Sequence, residues 1–107
     1  MNATYTTLKK GNLELRVCQH LFDRLEEKFN LKGKLHDSFS RSKEVTQQNS
    51  ARFGKTIANR AYSKIKYGTS QKLFVNTYFD QVYIVDVATK VLVTTYRLST
   101  AKPWYEV

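Results

Sequence analysis

Three small groups of side chains in this sequence have types and spacings suited to phosphate chemistry. His20 and Arg24 stand four residues apart, which on a helix puts them about 40° apart and one turn away. His36 lies among Ser38, Ser40 and Arg41. Thr94, Tyr96 and Arg97 supply two hydroxyls and a cation near the C-terminal end. None of these groups needs a metal. RNA carries its own nucleophile, the 2′-OH. Such a reaction needs a group to take its proton, cations to stabilise the pentavalent phosphate, and an acid for the leaving 5′ oxygen. A plainer reading stands beside each group. His20 and Arg24 would be surface neighbours, His36 a solvated loop residue, and the hydroxyls on 94–97 cross-strand partners on a half-exposed sheet.

The positive charge is concentrated around the second group. The 107-residue chain carries 18 Lys+Arg against 9 Asp+Glu, a net +9. Residues 31–72 hold ten of those cations and only two acids, Asp37 and Glu44, so this stretch supplies +8. Charge gathered in one stretch describes a surface whose usual partner is a polyanion. The candidate phosphate-binding residues are Arg41, Lys43, Arg52, Lys55, Asn59, Arg60, Lys64 and Lys66. Seven Tyr and six Phe give an ample aromatic supply, and Tyr78, Phe79 and Tyr83 are candidates for stacking on bases.

Other chemistries find little here. There is no GxGxxG and no GxxxxGK[ST], so no cofactor is expected. Cys18 and His20 would lie roughly 200° apart on a helix, which suits neither zinc nor a Cys/His nucleophile. Cys18, the single cysteine, fits a small buried hydrophobe and a reducing cytoplasm. The first twenty residues lack an apolar signal-peptide core, and no apolar run is long enough for a membrane span. An anionic membrane surface is a poor partner, since the basic stretch lacks a bulky apolar face.

The elements that must position these residues follow from periodicity. The length suits one domain, residues 1–107. Thr4–Leu8 reads as a short edge strand, with a turn at Lys9, Lys10 and Gly11. Asn12 would cap a helix over Leu13–Asn30, with Leu15, Cys18, Phe22, Leu25 and Phe29 as its apolar stripe. Residues 31–43 read as a loop, because Ser and Asp side chains compete there for backbone hydrogen bonds. Glu44–Tyr67 reads as a second helix, closed by Gly68, with a start near Ser50 as the shorter alternative. Its buried stripe would be Phe53, Ile57, Ala61 and Ile65. Arg52, Lys55, Asn59 and Lys66 would face outward, flanked by Arg60 and Lys64.

The remainder reads as strands: Lys72–Phe79, Val82–Val87 and Val91–Arg97. A turn at Asp80-Gln81 and a hairpin at Ala88-Thr89-Lys90 join them. Ile84 and Val93 read as central-strand positions, and Trp104 and Tyr105 lie in a tail. The expected class is α+β, with two N-terminal helices packed on a C-terminal three- to four-stranded antiparallel sheet.

The segment His20–Leu31 (HLFDRLEEKFNL) resembles the H-x-x-x-R-x-x-x-R/K-F helix of the small metal-independent ribonucleases of the barnase–EndoU–colicin–RelE group. Val82–Leu98 (VYIVDVATKVLVTTYRL) is similar to their closing hairpin, and helices before sheet is their order. The resemblance covers under a third of the chain. It implies a toxin-like endoribonuclease cleaving by 2′-OH attack to a cyclic phosphate. It would bring His20 and Arg24 together with Thr94, Tyr96 and Arg97 at the scissile phosphate. An inhibitor-like acidic protein would then be a natural partner. The alternative from the residues alone is a non-catalytic nucleic-acid-binding or regulatory module, of the size and composition seen in phage and mobile-element proteins. A basic protein docking on an acidic partner is the third reading.

Overall fold

A computed structural model of the chain describes residues 4–46, 50–53 and 70–98. The first element is a hairpin, not a strand leading into a long helix. Strand β1 (Tyr5–Lys10) pairs antiparallel with β2 (Leu13–Cys18), Leu8 opposite Leu15 and Thr6 opposite Val17. The two-residue turn between them places Gly11 at φ 58°, the backbone that hairpins of this length demand and a side chain would strain.

The expected helix over Leu13–Asn30 is therefore corrected at its start. Leu13, Leu15 and Val17 alternate with Glu14, Arg16 and Cys18, and that period of two prevails once β1 is there to pair. Cys18 is consequently exposed, not a buried hydrophobe. Helix α1 runs only over Gln19–Lys28, burying Phe22. It ends in a Schellman motif: Asn30 sits at φ 55°, its N–H donates to the Glu27 carbonyl, and the Leu31 N–H reaches the Glu26 carbonyl at 2.7 Å.

The segment expected as a loop over 31–43 contains a second helix, α2 (Leu35–Ser40). Its serines do not break it, because each is satisfied in place. Ser40 and Ser42 donate back to the Asp37 and Phe39 carbonyls, and Ser38 bonds the Tyr83 hydroxyl. Leu35, Ser38 and Phe39 form its buried face.

The helix expected from Glu44 is corrected at its first residues. Lys43–Glu44 is a short strand, β3, and Ser50–Phe53 a 3-10 turn. Most of that segment, with Lys55, Asn59, Arg60, Lys64 and Lys66, lies outside the described residues, as do Trp104 and Tyr105.

Strands β4 (Gln71–Asn76), β5 (Gln81–Asp86) and β6 (Val91–Arg97) join β3 in an antiparallel sheet of order β3-β4-β5-β6. The chain between β4 and β5 turns over Thr77–Asp80 rather than at Asp80-Gln81. Val93 is 46% exposed, not central. It is the extra residue of a bulge on an edge strand, since Ile84 faces Thr94 while Val85 faces Leu92.

The expected architecture of helices first and sheet last is thus overturned. Among the described residues, two helices accompany six strands in two antiparallel sheets, and strands occur from the first described segment onward. The four-stranded sheet is apolar on both faces. Phe74, Tyr83, Val85 and Leu92 join one cluster with Leu8, Leu15, Phe22, Leu35 and Phe39 from the hairpin and helices. Leu73, Val75, Val82 and Ile84 join a second with Val45, Phe53 and Leu98. Among the described residues no helix is long and apolar enough to cross a membrane.

Candidate nucleic-acid interface

Among the described residues, four elements and a turn converge on a groove of about 580 Å³. Lys34 and Arg41 flank α2 at its two ends, and Asp37 lies between them in its first turn. These positions step by three and four, so they share one helix face. Lys43 enters from β3 and Arg52 from the 3-10 turn. The fourth side is the β4–β5 turn, with Tyr78 and Phe79. Val75, Phe53 and Asn76 also line the groove, all three of them buried residues.

The electrostatics are one-sided. Among the described lining residues, four cations meet a single carboxylate. The Arg41 Nε sits 2.9 Å from Asp37 Oδ1. That pair is exposed, so its contribution to stability is small. Its effect is to orient the guanidinium while the remaining N–H donors stay available to a phosphate. Among the described residues, Lys34, Lys43 and Arg52 have no acidic partner.

The aromatic wall is fixed by Asn76. Its Oδ1 accepts the Phe79 N–H at 3.0 Å, and its Nδ2 donates to the Ser38 carbonyl at 2.9 Å. The Ser38 hydroxyl lies 2.5 Å from the Tyr83 hydroxyl. One buried polar chain therefore ties α2, which carries the cations, to the turn that carries Tyr78. Burial pushes the Tyr83 phenol up to about 12, against the opposing effect of its bond to Ser38. Tyr83 is wholly buried, which corrects its reading as a stacking residue. Its position on β5 puts it in the first core, edge-on to Phe39 at 5.3 Å.

Arg41, Lys43 and Arg52, together with Tyr78 and Phe79, thus share one site. The six residues read as catalytic are placed differently. His20 and Arg24 are exposed on α1. His36 is exposed on α2, with its ring 5.1 Å from that of Phe22. Phe22 and His20 project about 200° apart on α1, so the two histidines are directed apart. Arg97 donates from Nη2 to the Phe29 carbonyl at 2.9 Å and covers the Phe29 ring. It thereby satisfies a carbonyl left over at the end of α1, the negative end of the helix. His20 lies nine residues up that helix, about 13 Å away along its axis. Thr94 and Tyr96 register with Ile84 and Val82, on the sheet face opposite Tyr83, and Tyr96 packs against the second core. Arg97 registers with Gln81, on the other face.

The sequence alone does not mark Lys34, Asp37 or Asn76 as groove residues. The signal for the first two was the spacing 34, 37, 41, which carries meaning only once that segment is known to be helical. Asn76 carried no signal, since its role depends on Ser38, thirty-eight positions away. Among the described residues no group of three or more His, Cys, Asp or Glu could hold a metal ion. No family model, no curated protein and no solved structure matches the chain.

Proposed function

We propose that the protein binds nucleic acid, holding the phosphate backbone in the groove between α2, β3 and the β4–β5 turn. The observation that carries this reading is the convergence of Lys34, Arg41, Lys43 and Arg52 from separate elements beside an exposed aromatic ring. An even scatter of the same cations would serve solubility only. Cleavage would need His20, Arg24, His36, Thr94, Tyr96 and Arg97 at one phosphate, and their spread over separate places favours binding.

Fluorescence anisotropy with labelled RNA and DNA oligonucleotides tests it. If the four groove cations each neutralise a phosphate, the log–log dependence of affinity on salt has a slope of about −3 on a single strand. Lys43→Glu with Arg52→Glu weakens binding and flattens the slope by at least about 1. Affinity that does not change with salt, or is untouched by the double reversal, refutes the proposal. The same RNA incubated in EDTA reports on cleavage. Loss of intact RNA that disappears in His20→Ala or His36→Ala would establish an endoribonuclease in place of a simple binder.

A further inference from the structure

We propose that the groove accepts single-stranded nucleic acid and that Tyr78 is the platform on which one base stacks. This rests on the binding reading above and adds the form of the ligand and the residue that selects it. Tyr78 is 88% exposed, a large apolar area left in water. Among the described residues its hydroxyl makes no hydrogen bond, so the ring is not held out for a polar contact within the fold. Its one ring contact there is Phe79, edge to face at 4.9 Å and 86°. Phe79 is packed against the first core, so Tyr78 is braced from behind.

The brace is built in before any ligand arrives. Asn76, only 6% exposed, holds the Phe79 N–H with one end of its amide and the Ser38 carbonyl with the other. The backbone that carries the ring and the backbone of α2 are therefore held together, which reduces the ordering left to binding. The shape also bears on the form of the ligand. Reading a duplex takes a helix or ribbon that protrudes into its groove. Here the cations line a concavity, which suits a flexible strand, whereas a duplex would meet mainly its rim. A duplex also hides the base faces that an aromatic platform needs, while an unpaired strand offers one at each nucleotide.

The test compares three probes on the full chain: a single-stranded oligonucleotide, its duplex, and a strand of equal phosphate count with abasic positions. The single strand should bind most tightly. Tyr78→Ala should weaken it by about tenfold or more, the range one stacked base supplies, with the salt slope unchanged. Tyr78→Phe should retain affinity, since the ring and not the hydroxyl does the stacking. The abasic strand should bind the wild type as weakly as the normal strand binds Tyr78→Ala. Circular dichroism checks that the variants fold. Equal affinity of wild type and Tyr78→Ala, or of normal and abasic strands, overturns the inference. If Arg52→Glu still weakens binding in that case, the phosphate-binding reading survives alone. Preference for the duplex, or equal binding of poly-glutamate, also overturns it. Absence of salt-dependent binding to any probe removes both readings.

Discussion

Replacing Asn76 by Ala should destabilise the protein far more than an average polar substitution. The side chain is buried and makes two hydrogen bonds, to the Ser38 carbonyl at 2.9 Å and from the Phe79 N–H at 3.0 Å. Their net value is about 1 kcal/mol each. The penalty for what is left behind is larger on one side than the other. The Phe79 N–H belongs to a surface turn, where water can replace the amide. The Ser38 carbonyl belongs to the last turn of α2, where Arg41 and Ser42 donate to the Asp37 and Phe39 carbonyls instead. It would be stranded beside a buried serine, at a further cost of about 1–2 kcal/mol. The expected loss is about 3 kcal/mol, or a fall in Tm on the order of 10–20 °C. Urea unfolding measures it, with the m-value unchanged if the folded state stays as compact. Asn76→Asp keeps the acceptor for Phe79 but sets a carboxylate against the Ser38 carbonyl, so it should not rescue stability at neutral pH. A loss below about 0.5 kcal/mol in Asn76→Ala would show that neither bond matters in the folded chain.

Two further outcomes concern proton linkage. Tyr83 has its phenol raised from 10.0 to about 12 by burial, so the folded state holds its proton more tightly than the unfolded chain does. Stability from this residue is complete below about pH 10 and falls as pH rises to 12, by about 2–3 kcal/mol in all. Tyr83→Phe should flatten that alkaline fall in urea titrations, and an unaltered fall would refute the assignment. Asp86 has its carboxyl lowered, chiefly by the Thr89 N–H and then by the Ser70 hydroxyl and the Ala88 N–H. Its contribution is present above the ordinary carboxylate range and is lost as pH falls through its depressed value. Asp86→Asn should reduce the acid sensitivity of unfolding, and identical acid profiles would count against the turn as its cause.

Legibility in the sequence followed the range of the interactions. The strands read over Val82–Val87 and Val91–Arg97 appear as Gln81–Asp86 and Val91–Arg97, because β-branched and aromatic runs with a short polar turn between them are a local signal. Residues 13–18 fit both a strand and a helix pattern through Leu15. Only the pairing with Tyr5–Lys10 resolves the conflict. The serines of 31–43 read as helix breakers, and Ser38 ceases to be one because Tyr83, forty-five positions later, takes its hydroxyl.

Residue order alone establishes that positive charge is concentrated in one stretch, that aromatic residues are plentiful, and that β-branched and aromatic runs crowd the C-terminal half. These are properties of composition and near neighbours. Which aromatic faces water depends on the packed fold. Tyr78 falls in a turn and is exposed, while Tyr83, five residues on, points into a core. The fold also gave Arg97 to the Phe29 carbonyl and gathered Lys34, Arg41, Lys43 and Arg52 around one groove. Direction and distance between remote segments depend on packing, which no local pattern encodes.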